Sequence, residues 1–542
     1  MTRGSPEAWL LALVCAALIA ARVYPELAPI LDSDAFQYLS MAKNALAGFF
    51  AHTSIAHFDA ERSFGFIPAP VVTFPAGYPL AIALVSQAGL SLHSAALLIS
   101  AASTVVCVFL LAWIAQRLGI ARGLRIVLLV TFVSNAAVVY YAACALTEAL
   151  FTALVTAAVA LLVAARARGR AWYWIAAGLV FGIAYFVRYA GLFFVVGLGI
   201  VALLHVIARE RSVAKGYILA CAAAGALVAA GMARNILIVG NWRGGNEKVI
   251  GSSLSTVLVE TVRAMNGVFL GPGSALHGGT LIARALCAAL FTLGTVWLAW
   301  RYLRQRRAAD GPFQAGHGFG IDLLLLALTY GACMFYAGLT TVISYEARMF
   351  VPLVPLIILL VGLVLQAFMA DRQSARPARI PIFALLASAC LYLFLNVPAS
   401  LKATDGPTSA SALVGWGPGE EKAVLRTVTA RAAKPVIVAN NGQAVGYLLD
   451  LPTVSMVGPY YSSVEWNEKT LRDTIQRFNA SAVVISIPQG RATDDVPSAF
   501  VHKLAAGDAP QWLEPAYQSG AVRVYTPRLT PLISARPAVS AP

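Results

Sequence analysis

Apolar residues fall in blocks of about 20, separated by short polar or basic gaps, a length at which a helix rising ~1.5 Å per residue crosses ~30 Å of hydrocarbon. Read this way, the chain predicts eleven spans: 7–26, 92–116, 124–145, 148–166, 171–187, 190–208, 216–236, 281–300, 321–341, 349–370 and 380–398. The first, running from Trp9 to Ala21 behind Met1 to Arg3, reads as an uncleaved span rather than a signal peptide. Tyr78 to Gly89 is apolar too, but a further span there would upset the in–out alternation. It reads as a helix lying along the outer membrane surface or dipping into it.

The pattern changes after Ser400. Residues 400–542 are polar enough for water and hold strand-like runs at 435–439, 482–487 and 521–525. An amphipathic helix over 468–478, with Asn467 as its N-cap, lies between the first two. About 140 residues suffice for a separate core. The expected fold class is therefore an α-helical polytopic membrane protein of about eleven transmembrane helices with a C-terminal soluble α/β domain. The expected domains are 1–399, with a first outer loop over 27–91, and 400–542.

Composition sharpens this. Of the 542 residues, 59% are hydrophobic and 12% charged, against about 45–50% and about 25% in soluble chains. A disordered protein, a coiled coil and an ordinary cytosolic enzyme are excluded. The net charge of +15 would suggest nucleic acid in a soluble protein. Here the basic residues gather in five short gaps, around Arg117–Arg125, Arg166–Arg170, Arg209–Lys215, Arg301–Arg307 and Arg372–Arg379. Such clusters stay in the cytoplasm, so the N-terminus is expected inside and the C-terminal domain outside a bacterial inner membrane. No basic patch interleaved with aromatics asks for nucleic acid. The seven cysteines all lie in apolar stretches and none belongs to a CxxC, which argues against a zinc or disulfide framework.

An ionisable residue at membrane depth is a functional candidate by default. Four places at the outer ends of the spans hold them. Asp32-Ser33-Asp34 follows the first span, with Tyr38 one turn beyond Asp34 on the same helical face. Either aspartate can equally cap the helix that follows. Thr147-Glu148 fills a short turn between two spans. Arg188 stands at the junction of the fifth and sixth. Glu346-Ala347-Arg348 precedes the tenth. For the arginines, the plain alternative is snorkelling to lipid phosphate. Together, two acids and two arginines at one depth suit one chemistry: a carboxylate removes a proton from an attacking hydroxyl, and a guanidinium grips a departing phosphate.

Further motifs accompany these residues in a fixed order. Asp34-Ala35-Phe36-Gln37-Tyr38 is followed by Ala42-Lys43-Asn44, then by Phe74-Pro75-Ala76-Gly77-Tyr78-Pro79-Leu80. Thr147-Glu148-Ala149-Leu150-Phe151, Arg188-Tyr189-Ala190-Gly191 and Arg348-Met349-Phe350-Val351-Pro352 complete the set. In this the sequence resembles the GT-C class of membrane glycosyltransferases, over most of residues 1–400. The likeness is closest to the branch holding the protein O-mannosyltransferases and the bacterial aminoarabinose transferase for lipid A. Ala35 stands where many relatives carry Glu. Thr73-Phe74 stands where the aminoarabinose-transferring relatives place a Lys. The Trp-Trp-Asp signature of oligosaccharyltransferases is absent, which argues against an oligosaccharide cargo.

The resemblance implies a polyprenyl-phosphate sugar as donor, an envelope lipid, glycan or protein hydroxyl as acceptor, and membrane lipid as surroundings. A site outside the cytoplasm meets no nucleotide pool, and no P-loop or Rossmann glycine fingerprint is present. On this reading Asp34 is the base, Glu148 positions the acceptor or Arg188, and Arg188 and Arg348 hold phosphate. Asp32, Tyr38, Tyr78 and Glu346 support them. No cofactor is certain. Asp32-x-Asp34 spells a DxD that holds a divalent cation in some glycosyltransferases, but magnesium prefers about six oxygens. His52, His57, Asp59 and Glu61 in the same loop could add ligands or form a solvated face. The competing class is a multi-pass transporter of an envelope precursor.

Overall fold

The structure is a computed structural model. It describes residues 6–24, 26–57, 63, 65–244, 253–270, 315–340, 346–370, 411, 414–430, 432, 435–457, 464–486, 498–520 and 522–528. The expected spans 281–300 and 380–398 lie outside the described residues, as do Asp59 and Glu61. Along the chain the described elements are α1 (Pro6–Val23), α2 (Ser33–Leu46), β1 (His52–Thr53), β2 (Ile55–Ala56), β3 (Ala69–Pro70), α3 (Gly77–Ser86), α4 (Leu92–Arg117), α5 (Arg122–Val133), α6 (Ala136–Ala142), α7 (Glu148–Arg168), α8 (Ala171–Val187), α9 (Gly191–Ile207), α10 (Arg211–Val239) and α11 (Leu254–Leu270). Then come α12 (Ala315–Thr340), a 3-10 segment (Ala347–Leu353), α13 (Val354–Ala370), α14 (Glu420–Thr429), β4 (Val436–Ala439), α15 (Gly442–Leu449), β5 (Thr453–Ser455), α16 (Glu468–Phe478), β6 (Ala480–Ser486), α17 (Ala499–Ala506), β7 (Leu513–Ser519) and β8 (Val522–Pro527).

The chain divides into two compact units. One comprises Met1–Ile30, Phe74–Leu237 and Gly251–Asp405; the other comprises Leu31–Thr73, Ile238–Ile250 and Gly406–Pro542. This line differs from the expected boundary at 400, because much of the first outer loop packs with the tail. The reason is a strand, described below.

In the first unit, six described helices are long and apolar enough to cross a membrane: α1, α4, α7, α10, α12, and the stretch Ala347–Gln366 that joins the 3-10 segment to α13. The helices α8 and α9 are apolar but shorter. The expected single span over 124–145 is instead α5 and α6, bent by 56°. Asn135 makes the break. Its Oδ1 accepts the Val138 N–H at 2.9 Å and so starts a new helix, while its Nδ2 donates to the Val268 carbonyl of α11 at 3.0 Å. The helix α7 packs against both α4 and α8 and ends at Gly169, whose φ of 66° suits a residue without Cβ.

The far end of α7 carries a second polar cluster that the hydrophobic pattern conceals. Asp322 of α12 is fully buried and pairs with Arg166 in the last turns of α7. Its Oδ1 lies 2.9 Å from His205 Nε2, and its Oδ2 accepts the Tyr217 hydroxyl at 2.6 Å. His205 Nδ1 in turn lies 2.6 Å from Glu210 Oε2. The cluster stands at the opposite end of α7 from Glu148. Arg166 lies 18 residues beyond Glu148 on one helix, a separation of about 27 Å at ~1.5 Å per residue.

The second unit is an α/β sheet with strand order β2-β5-β4-β6-β8-β7. The strands β2, β5, β4 and β6 run parallel, and β8 and β7 are antiparallel. Its core includes Val438, Val454, Leu471, Ile475, Val483 and Val501. The helix expected over 468–478 is α16, and Asn467 Oδ1 caps it by accepting the Thr470 N–H at 2.9 Å. The edge strand β2 comes from the first outer loop. Ile55 pairs with Thr453 and Ala56 with Val454, and the Thr453 N–H donates to the Ser54 carbonyl at 2.9 Å. A sheet edge left bare would expose unpaired backbone groups; here the loop covers it.

Candidate active site

Glu148 is the first residue of α7 and is fully buried. The chain reaches it through Cys144 to Thr147, a turn too short to let it drift. Arg188 follows α8 in extended backbone. Its Nη1 donates to Thr147 Oγ1 at 2.9 Å and also pairs with Glu148 Oε1. Its Nη2 meets Met349 Sδ at 2.8 Å. Arg348, one residue before that methionine, is buried in the 3-10 segment, and its Nε lies 3.0 Å from Glu346 Oε2. Glu148, Arg188, Glu346 and Arg348 are thus brought together by the ends of α7 and α8 and the start of the 3-10 segment.

Tyr78 is buried behind this group. Its hydroxyl lies 3.2 Å from Ser100 Oγ, which donates to the Cys144 carbonyl at 3.0 Å. That chain of bonds supports the turn leading to Glu148. Gly77 permits the approach: a Cβ there would stand 2.5 Å from the Phe186 carbonyl oxygen, close to Arg188. The aromatic-proline stretch therefore has a local steric role in placing the basic turn.

Sequence reasoning missed Tyr330. Its hydroxyl donates to the Met349 carbonyl at 2.7 Å, and it is buried in α12 against Phe194. It fixes the backbone that carries Arg348. The available signal was a tyrosine in an otherwise apolar span, which reads equally well as core. Tyr141 of α6 was missed too, and Glu148, Glu346 and Arg348 all act on it electrostatically.

Glu148 Oε2 is buried and has no hydrogen-bond partner among the described residues. A buried carboxylate oxygen without a donor is costly. The Arg188 pair engages Oε1 and leaves Oε2 to a donor from outside, such as a hydroxyl.

Asp32, Asp34 and Tyr38 belong to the second unit. Asp34 lies in the first turn of α2, Asp32 precedes it with its carbonyl accepting the Ala35 N–H at 2.9 Å, and Tyr38 is buried. Asp34 acts electrostatically on His57, the residue after β2. Burial pushes the His57 imidazole down to about 4, while the nearby Asp34 carboxylate pulls the other way.

No family model and no curated protein matches the sequence. Solved structures do match. ArnT from Cupriavidus metallidurans bound to undecaprenyl phosphate aligns with a TM-score of 0.57 at 12% identity, covering 96% of this chain and 98% of that one. The Archaeoglobus fulgidus oligosaccharyltransferase in its apo form aligns with a TM-score of 0.56 at 11% identity, covering 88% and 69%. The chain has the fold of the GT-C glycosyltransferases. The arabinofuranosyltransferase AftD from Mycobacteria shares the fold as well, with a TM-score of 0.54 at 15% identity over 97% of this chain and 42% of the larger enzyme. With several apolar helices of spanning length and this GT-C fold, the chain is a multi-pass membrane protein.

The archaeal enzyme has been solved in complex with Zn and sulfate. Among the described residues here, no three His, Cys, Asp or Glu side chains gather as a metal-holding group.

Proposed function

We propose that this GT-C-fold protein is an inverting glycosyltransferase, moving a sugar from a polyprenyl-phosphate donor to an envelope hydroxyl outside the cytoplasm. The observation that carries this reading is the buried Glu148–Arg188 pair, with one carboxylate oxygen left for a hydroxyl and with Arg188 touching Met349, the residue after Arg348. The likeness to a transferase solved with undecaprenyl phosphate adds support.

In the proposed step, Asp34 takes the proton from the acceptor hydroxyl. The acceptor oxygen bonds to the anomeric carbon from the face opposite the phosphate, and configuration inverts. The bond from that carbon to the phosphate oxygen breaks, and polyprenyl phosphate leaves with the electron pair. Arg188 and Arg348 take up the phosphate charge. Glu148 holds Arg188 with Oε1 and offers Oε2 to a sugar or acceptor hydroxyl. The carboxylate base is asked for roughly 10²–10⁴-fold in rate.

A transporter is less well served by the geometry. The ion pairs stand at helix ends and not at a helix broken in mid-span. The decisive experiment is mass spectrometry of envelope glycans from a strain lacking the gene and complemented with wild type or Asp34→Asn. The expected result is one sugar lost on deletion, restored by wild type and not by the variant. Full restoration by Asp34→Asn would exclude Asp34 as the base. Binding of undecaprenyl phosphate to purified protein, weakened in Arg348→Ala, tests the phosphate assignment independently.

A further inference from the structure

The second unit contains a polar ladder that points at Asp34. Three residues of α2, spaced as one helical face, bond the segment that follows. Asn44 Nδ2 donates to Ser54 Oγ at 3.0 Å. Ser40 Oγ lies 3.0 Å from Thr53 Oγ1 and accepts the Ser54 N–H at 3.0 Å. Gln37 accepts the Thr53 hydroxyl at 3.0 Å and donates to the Ile55 carbonyl at 3.2 Å. Gln37, the residue of the three nearest Asp34, reaches Ile55, two residues before His57. Asp34 lies one turn further along the same face and acts electrostatically on His57.

His57 is fixed there from the other side. Its Nδ1 lies 2.7 Å from Ser455 Oγ, at the last residue of β5. The pairing of β2 with β5 sets this meeting in register. The tail also grips α2 directly. Phe36 packs on Tyr447 with ring centroids 5.0 Å apart, and Lys43 pairs with Asp450. Phe36 thus packs on α15, and Lys43 pairs with the residue that caps it.

We propose that His57 is a positioning residue for Asp34, held by Ser455, and that the tail domain contributes to transfer by mounting the acidic motif on its own sheet. This rests on the reading of Asp34 as the base. Burial keeps the His57 imidazole neutral near pH 7, so one ring nitrogen is a donor and the other an acceptor. A neutral imidazole shared between a hydroxyl and a carboxylate fixes the orientation of both. A misplacement of ~1 Å at a reacting group costs about 10²-fold.

The test uses the full-length protein in its host membrane, read by the envelope sugar that deletion of the gene removes. His57→Ala is expected to lower transfer about ten- to hundredfold, and Ser455→Ala to lower it less. His57→Gln, whose amide can meet both partners, is expected to recover most of the loss. His52→Ala, in the same loop, should leave transfer unchanged, and protease resistance of the tail should match wild type in all four. Wild-type transfer in His57→Ala alongside a dead Asp34→Asn would overturn the positioning role while leaving the base in place. Loss in both His57 variants together with a protease-sensitive tail would reduce His57 to a structural contact and overturn it as well. An active Asp34→Asn would remove the base assignment itself, and the positioning role with it.

Discussion

Ile30 and Cys144 face each other in an isolated parallel bridge. The Ile30 N–H donates to the Ala143 carbonyl at 2.9 Å, and the Ala145 N–H donates to the Ile30 carbonyl at 3.1 Å. Each partner stands four residues ahead of a carboxylate, Asp34 in one case and Glu148 in the other. This pair of backbone bonds fixes the chain just ahead of the turn that carries Glu148. Ala145→Pro removes the second of these donors. Transfer is expected to fall about tenfold or more, with the protein still inserted in the membrane, as judged by envelope-sugar analysis against protein level.

The Glu148–Arg188 pair is buried, so removing one partner should cost more than the pair is worth. Glu148→Gln or Arg188→Met alone leaves a lone buried charge or donor, an effect of about 3–5 kcal/mol. The double variant is expected to regain part of that stability while staying inactive. Thermal unfolding in detergent separates the two, and additive losses in the double variant would contradict coupling. Arg188→Lys should also fail, because a single ammonium cannot reach Thr147, Glu148 and Met349 at once.

Asp322 receives Arg166, His205 and Tyr217, which join α7, α9, α10 and α12. Asp322→Asn leaves Arg166 without a counter-charge in a buried setting. Stability should fall by about 3–5 kcal/mol. Transfer per folded molecule should change little, since the cluster lies about 27 Å along α7 from Glu148. A variant as stable as wild type would show that the cluster is not a fastener.

His57 gives the second unit a pH dependence of definite sign. The unfolded imidazole takes a proton near pH 6.5, while the folded one resists it down to about 4. Between those values the unfolded state binds more protons, so stability falls as pH drops from about 6.5 to about 4 and is insensitive to this group above that window. Hydrogen-exchange protection factors of the amides at residues 52–57, corrected for intrinsic rate, should fall over that range in wild type. His57→Gln should flatten the part of the slope that carboxylates do not supply.

Much of the architecture could be read from the sequence, for reasons that differ by element. Long apolar runs such as Leu92–Arg117 and Glu148–Arg168 announce helices by length alone. Glu148, Arg188 and Arg348 stand out because charge at membrane depth is rare. Asn135 does not stand out: a single amide between apolar halves looks tolerable until its side chain caps one helix and bonds another. Asp322 hides within an apolar run because its partners come from three other helices. Tyr330 hides because an aromatic residue in a span reads as core. The short strand Ile55–Ala56 is invisible to any periodicity, since two residues have no period, and its partner Thr453 lies some four hundred positions away.

That two-residue strand also bears on how the tail can be exchanged. The tail of this chain ends its sheet with an edge cut to accept Ile55 and Ala56, and its Ser455 meets a histidine supplied by the same loop. A replacement tail without a hydroxyl in the place of Ser455 would lose the contact with His57. Loop and tail are one inheritable module split across the gene, and a working chimera has to exchange both halves together.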